Sequence, residues 1–351
     1  MNSRVSSVSV IMPTYGRPEL ASQVLVMLHQ QTRPPDEVVV VSQTEDGQPD
    51  PRLRPPEGHA YRLKILHHEP LGTSAARNRG AQATSGDVLI FLDDDVRFEP
   101  DLVEQYVRIF EQEPNVDVVH GGVRQRGCPL PPERRFSRHT DTDLFRFLVS
   151  SPNCARRSMA IGLASGNFAI TRRWFFAVGG FDEILVGLGD DHDIGLRLFL
   201  AGALIVYDPR PCVEHLKVPD GGRRSGPPQT RWARLFRPYP DPGWTYLLLK
   251  NLPERAARSL LLDMALTYLR PRRADPLKPL KWPILLARVL RSVTIAKRLS
   301  ERGPAYLTAD SLSKDVVTPA DTSVCGPAQV PDGVAASGRA GDTYHGEPGR
   351  R

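Results

Sequence analysis

The chain has 351 residues, 40% hydrophobic and 25% charged, with a formal net charge of +6. That size and balance imply a real core, in two domains or in one large α/β domain with appendages. Cys128, Cys154, Cys212 and Cys325 show no CxxC spacing, which argues against a disulfide framework or a zinc-thiolate site and fits the cytosol; no apolar run is long enough for a transmembrane helix, and the N-terminus lacks the apolar core of a signal peptide.

The charge is uneven. Residues 217–300 hold 18 Lys/Arg against 5 Asp/Glu, and 303–351 hold 4 against 6, leaving 1–216 mildly acidic. A basic later segment on an acidic body suggests a partner that carries phosphates. No RNA- or DNA-binding motif accompanies the charge, so nucleic acid is not expected.

Val8–Met12 reads as a buried strand broken by Pro13-Thr14-Tyr15-Gly16-Arg17-Pro18. A helix is expected from about Glu19 to Gln31, with Leu20, Val24, Met27 and Leu28 on one side. Glu37–Val41 is a second strand, Gln43–His59 a polar loop and Arg62–Leu66 a third strand. Thr73 or Ser74 caps a helix that runs to about Ala83, and Val88–Leu92 is a strand ending in Asp93-Asp94-Asp95. This alternation points to βαβ units and a parallel sheet, covered on both faces because runs such as VVVV and VLIFL are continuously apolar. Further strands are expected at Val116–His120, Ala169–Thr171 and Leu204–Tyr207, and helices at Arg172–Val178 and Asp190–Ala201. Residues 217–243 read as a mobile basic loop, 244–302 as a basic helical extension and 303–351 as a disordered tail. Residues 1–216 form the main domain.

Four constellations carry chemistry. Asp93-Asp94-Asp95 closes an apolar strand, where ligands of open α/β sheets bind. Adjacent carboxylates suit Mg²⁺ or Mn²⁺, although an acidic turn would look the same. Gly72–Gly80 combines a helix start with Arg77 and Arg79, which suits an anion or an ordinary capped helix. Asp190-Asp191-His192-Asp193 opens another helix behind two glycines. Asp193 can simply pair with Arg197, while a free carboxylate there could act as a general base. Glu214-His215 follows a strand; His215 is either structural or a metal ligand.

In this order the segments resemble the family 2 glycosyltransferases. The matching pieces are Val10–Tyr15, Ala75–Gly80, Phe91–Asp95, Gly166-Asn167, and Gly179–Glu183 followed by Gly189–Asp193, within about Val8–His215. The resemblance implies a GT-A, Rossmann-like, mostly parallel sheet flanked by helices over residues 1–216, with a nucleotide-sugar-binding half 1–120 and an acceptor-side half 121–216. It also implies an inverting transfer of one sugar from a UDP- or TDP-linked donor to a glycan, lipid-linked or small-molecule acceptor. Asp191 matches the catalytic base, and Asp190 stands where Glu is usual. Asp95 matches a direct ligand of Mn²⁺ or Mg²⁺, with His215 completing the site and Asp93 nearer the ribose. Donor contacts are implied for Pro13, Thr14, Tyr15, Arg17, Ser42, Arg77, Asp93, Asp94, Gly166 and Asn167.

The chain departs from the family pattern at two places. Ser42-Gln43 follows the second strand where an acidic residue is usual, which leaves the donor base open. Gln229-Thr230-Arg231-Trp232 is similar to the QxxRW of processive members but one residue short, so single transfer is expected. Asp190, Arg224, Arg231 and Trp232 are candidates for the acceptor side or a closing loop. The apolar and basic positions of 244–300 are compatible with the inner face of an anionic membrane, with packing on the body, or with a second subunit in a homodimer. A sugar-1-phosphate nucleotidyltransferase would need a Gly-rich, Lys-containing first loop, and a non-catalytic nucleotide-sugar binder would be expected to lose Asp95 or Asp191.

Overall fold

The computed structural model of the chain describes residues 5–69, 71–125, 127–134, 153–185, 189–218, 237–270 and 281–307. Its centre is a sheet of nine strands among the described residues. In chain order they are β1 (Val8–Tyr15), β2 (Glu37–Gln43), β3 (Arg62–His68), β4 (Val88–Leu92), β5 (Val96–Phe98), β6 (Val118–Gln125), β7 (Ser158–Met159), β8 (Asn167–Thr171) and β9 (Ile205–His215). The spatial order is β3-β2-β1-β4-β8-β6-β9-β5, with β7 on β9.

Strands β3, β2, β1 and β4 pair in parallel. This half is the βαβ arrangement expected from the sequence: α1 (Pro18–His29) links β1 to β2, and α2 (Thr73–Gln82) returns the chain from β3 to β4. The other half is mixed, because β8 runs antiparallel to both β4 and β6 while β6 and β9 are parallel.

Both faces of the sheet are covered. Val8, Val10 and Met12 pack under α1 and α3 (Leu102–Gln112), against Val24, Leu25, Leu28 and Tyr106. Ile11, Leu89 and Phe91 face the opposite layer with Phe168, Phe175, Phe181 and Ile194. Successive residues of β1 and β4 thus enter different cores, as the two-residue period of a strand requires. Phe91 stacks on Phe168 with centroids 4.8 Å apart. Helix α2 can lie close on β1 because Gly80 has no Cβ; one built there would meet Ile11 Cγ2 at 2.4 Å.

The remaining helices are α4 (Arg172–Ala177), α5 (Asp190–Leu200), α6 (Pro242–Asn251), α7 (Glu254–Leu269) and α8 (Trp282–Arg302). From the basic extension, α6 packs on the body: Leu247 and Leu248 join Ile161 and Leu196 of the α5 side, and Tyr246 joins Leu185 and Ala296. The first residues of the expected tail are docked. Leu307 N–H donates to Gly179 O, and Ala305 N–H donates to Asp182 Oδ1. Residues 308–351, and most of the expected loop 217–243, lie outside the described residues.

Several expected boundaries move. β1 runs through Pro13 to Tyr15, since Pro13 stands opposite Val41 without breaking the parallel register. β9 continues past the Pro209-Arg210-Pro211 bulge, where the register shifts opposite Gly121/Gly122, so His215 ends a strand rather than following one. Gly72, with φ 89°, is the N-cap of α2, and no side chain caps it, so neither Thr73 nor Ser74 takes that place. α3 and β5 arise where the sequence reading expected no element.

Candidate active site

The carboxyl ends of β1 and β4, the start of α2, the start of α5 and the end of β9 surround a cleft of about 240 Å³. This is where a parallel sheet exposes its ligand-binding edge, because neighbouring connections leave in opposite directions. Pro13, Thr14, Tyr15, Arg17, Arg77, Asp93, Asp94, Asp95, Asp190 and His215 of the sequence candidates all line it.

The three carboxylates after β4 take different partners. Asp93 faces Arg77, whose Nη2 donates to its Oδ1 at 2.8 Å. Asp94 turns inward, accepting from Thr14 Oγ1 at 2.7 Å and lying 3.2 Å from Arg17 Nη1. Burial, together with the charges of Asp93 and Asp95, pushes its carboxyl up to about 6 against the pull of Thr14 and Arg17. Asp95 lies between Arg17 and His215: Oδ2 is 2.9 Å from Arg17 Nη1, and Oδ1 is 3.1 Å from His215 Nε2. Arg17 also donates to Val218 O, so one buried guanidinium joins the β1 loop to the chain after β9.

One ligand atom each from Asp93, Asp95 and His215 lies within 4.8 Å of the others. Among the described residues they form a donor set of two carboxylate oxygens and one imidazole nitrogen, converging from the end of β4 and the end of β9. Such a set fits a divalent cation of the Mn²⁺ or Mg²⁺ type.

Arg77 is the hinge of the opposite wall. Its Nη1 donates to Asp190 Oδ2 at 3.1 Å while Nη2 holds Asp93, so one arginine bridges the β4 loop and the first turn of α5. Ser74 Oγ donates to Leu185 O at 2.7 Å and reaches Asp190 Oδ2 at 3.4 Å. The start of α2 directs its free amides and the positive end of its dipole at the same space, beside Thr73.

Asp190 and Asp191 are set apart electrostatically. Burial and the Asp191 charge raise the Asp190 carboxyl to about 6, with Arg77 opposing. Burial also acts to raise Asp191, but the His192 ring and N–H, with Arg77, outweigh it and hold that carboxyl below the usual range. The Asp191 side chain is 23% exposed and lies 2.7 Å from His192 Nδ1. Asp193 points away, into a closed network: Oδ2 meets Arg197 Nε at 2.9 Å, and Oδ1 meets Asn251 Nδ2 at 2.8 Å and Lys250 Nζ at 2.7 Å. Its expected pairing with Arg197 is present.

Other candidates do not line the cleft, and Asp191, the expected base, is one of them: Asp190 stands in the wall and Asp191 beside it. Asn167 is fully buried, its amide donating to Gly122 O and Pro211 O and its carbonyl accepting from Tyr106 OH; this side chain ties β8 to β6, β9 and α3. Ser42 is buried in the sheet opposite Thr14, and Gln43, the next residue, lines the cleft and accepts from Leu71 N–H. Gly166 acts by what it lacks: a Cβ would lie 2.4 Å from Asp93 Oδ2. Arg224, Arg231 and Trp232 lie outside the described residues. Gly72 and Thr73, the start of the expected anion-binding segment, are in the wall, whereas Gln43 and Ser165 of the wall and the hydrogen bond from Tyr15 OH to Glu45 were not expected from the sequence. These contacts come from separate loops, with no local signal for them.

Residues 9–176 match the family described as "Glycosyl transferase family 2". An uncharacterized glycosyltransferase of Haemophilus influenzae is 32% identical over 209 residues, 57% of this chain and 64% of that protein. The validoxylamine A glucosyltransferase of Streptomyces hygroscopicus subsp. limoneus is 30% identical over 224 residues, 57% of this chain and 49% of that protein. The chain thus spans about half to two thirds of the length of these relatives. The crystal structure of GalNAc-T7 with UDP, GalNAc and Mn²⁺ is similar in fold, with a TM-score of 0.51 and 15% identity, covering 83% of this chain and 58% of that one.

Proposed function

We propose that this chain, whose residues 9–176 belong to glycosyl transferase family 2 and form the core of a GT-A fold, is an inverting, metal-dependent transferase of a single sugar. The donor in this reading is a UDP- or TDP-linked sugar, and the acceptor is a hydroxyl of a glycan, a lipid-linked glycan or a small molecule. The observation that carries it is the convergence of Asp93, Asp95 and His215 with Arg77 and the start of α2 in one cleft.

The donor diphosphate suits the wall formed by Gly72, Thr73 and the α2 dipole, with the Arg77 guanidinium beside it. Held by Asp93, Asp95 and His215, Mn²⁺ or Mg²⁺ would supply positive charge that offsets the charge on the leaving diphosphate. Asp191 takes the proton of the acceptor hydroxyl as its oxygen bonds to the anomeric carbon. The bond from that carbon to the diphosphate oxygen breaks, and its electron pair leaves with the nucleotide. One displacement inverts the configuration and needs no enzyme nucleophile. Two features favour Asp191 as the base: it is held ionised, and part of it is open to solvent. A second assignment gives the base to Asp190, because its carboxyl, raised to about 6, lines the cleft. Against it, Arg77 and Ser74 already engage Asp190 Oδ2.

Thermal stabilisation by nucleoside diphosphates and nucleotide sugars, with and without Mn²⁺, tests the site, since a ligand of the native state raises its melting temperature. A Mn²⁺-dependent shift with a UDP- or TDP-sugar is expected. A shift with nucleoside triphosphates alone would move the reading to nucleotidyl transfer. Asp191→Asn is expected to abolish transfer while keeping the donor-induced shift; near-normal turnover in it, with loss in Asp190→Asn, would hand the base to Asp190.

A further inference from the structure

Helices α7 and α8 each bury one face and expose an apolar one. α7 packs inward through Ala257, Leu260 and Met264, and α8 through Leu285, Ser292 and Ala296. Leu262 and Leu266 on α7 are 60% and 49% exposed; Trp282, Leu286 and Leu290 on α8 are 47%, 49% and 59% exposed. The spacing i, i+4, i+8 places each set on one side of its helix. Five of the nine large hydrophobic residues exposed among the described residues lie here, so the patch is a concentration rather than scatter. Trp282 Nε1 donates to Leu269 O at 3.1 Å, which joins the two stripes at the corner between the helices.

The patch has a basic border. Lys281, Arg288, Arg291, Lys297, Arg298 and Arg302 accompany α8 against the single acid Glu301. Arg288 is tied to Arg237 O and lies over the Tyr268 ring. Arg291, Lys297, Arg298 and Arg302 are exposed, so the excess of positive charge lies on α8; on α7 the exposed Arg255 and Arg258 are balanced by Glu254, which pairs with Arg258, and by Asp263, with Arg270 following the helix.

We propose that the outward faces of α7 and α8 dock the protein peripherally on an anionic phospholipid surface. Leucines and a tryptophan inserted at the headgroup boundary, bordered by Lys and Arg, suit a helix lying in the plane of such an interface. Charge decides between occupants. In a symmetric pair of copies this basic face would meet itself, setting like charge against like charge. A nucleic-acid backbone would match the charge and leave five apolar side chains without a partner. No helix among the described residues is long and apolar enough to cross a membrane, so the contact is a surface one. The surface lies outside the cleft, so it stands or falls separately from the transfer reading.

The test uses the full chain in flotation with phosphatidylcholine vesicles, with and without phosphatidylglycerol, at low and at physiological salt. Flotation with the phosphatidylglycerol vesicles is expected, weaker as salt rises. Two variants, Leu266→Glu with Leu290→Glu and Arg291→Glu with Arg298→Glu, are each expected to bind roughly tenfold less or weaker still. The replaced residues are exposed, so melting temperatures should hold; if the leucine variant loses its transition, the charge variant, which leaves the apolar stripe intact, remains decisive. Wild-type protein left in the aqueous fraction, or variants that float as well as wild type, would overturn the proposal. So would a dimer, seen by sedimentation equilibrium, that these variants dissolve while wild type ignores vesicles; that result would assign the face to a second copy.

Discussion

Lys250→Met probes how the C-terminal helices hold the α5 turn. Lys250 Nζ lies 2.7 Å from Asp182 Oδ2 and 2.7 Å from Asp193 Oδ1, and both carboxylates are completely buried. Removing the ammonium leaves two buried charges short of a counterion, and breaking such a pair costs about 3–5 kcal/mol. Each carboxylate keeps other donors: Tyr246 OH and Ala305 N–H on Asp182, Arg197 and Asn251 on Asp193. We therefore take the low end, about 3 kcal/mol, which in a chain of this length lowers the melting temperature by roughly 4–5 °C.

The loss depends on pH in a defined direction. Burial acts to raise Asp182, but Lys250 and the hydrogen bonds from Lys250, Ala305 and Tyr246 outweigh it and hold its carboxyl below the usual range. Its contribution is present above the unfolded value of about 4 and is lost as pH falls through the lower folded value. Burial acts to lower Lys250, but Asp193 and Asp182 outweigh it and raise its pKa, so its share is present below the unfolded value and lost as pH rises through the folded one. The gap between wild type and variant should be widest between about pH 5 and 10 and close in acid. Scanning calorimetry across pH is the assay. A gap under about 2 °C at neutral pH, or one that stays open in acid where the wild type still melts cooperatively, would refute the reasoning.

Three further substitutions separate the cleft residue Asp95 from two residues of its scaffold. Asp95→Ala should weaken Mn²⁺ binding by calorimetry and remove the Mn²⁺ dependence of nucleoside diphosphate binding; unchanged binding would reject Asp95 as a ligand. Gly166→Ala would set a Cβ 2.4 Å from Asp93 Oδ2, at a position whose φ is not in the left-handed region. The fold should survive, while Mn²⁺ affinity falls about tenfold as Asp93 is pushed aside. Asn167→Leu leaves Tyr106 OH, Gly122 O and Pro211 O without their partner, so unfolding free energy should drop by about 3 kcal/mol or more; a melting temperature within about 2 °C of wild type would mean that these groups find other partners.

Local pattern carried much of the fold. Apolar runs at Val8–Met12, Glu37–Val41 and Val88–Leu92 marked the parallel strands, because a strand covered on both faces is apolar at nearly every position; the exceptions, Ser9 and Glu37, hydrogen-bond to each other. The same reading passed over α3, although Leu102, Val103, Tyr106, Val107, Ile109 and Phe110 form one apolar side. It stopped β9 at Tyr207, since two prolines normally end a strand; here they sit in a bulge, and pairing resumes at Cys212.

The cleft was legible as a set of residue types, and less so as a set of roles. Acidic residues at the end of a buried strand and at the start of a helix are visible in sequence because each obeys a local rule. Which of them share a partner is not a local property. Arg77 binds Asp93, 16 residues away, and Asp190, 113 residues away, and only the return of α2 over the sheet gives it both. Asn167 sits beside Gly166 in sequence, yet the strand directs it into the core among carbonyls of β6 and the β9 bulge. By itself the sequence determined the strand-and-helix alternation, the chemical content of the site and the basic character of the C-terminal helices. The tertiary structure alone decided which carboxylates stay charged, which are tied up in the scaffold and which leucines face outward, because burial and long-range pairing depend on segments that meet only when the chain is folded.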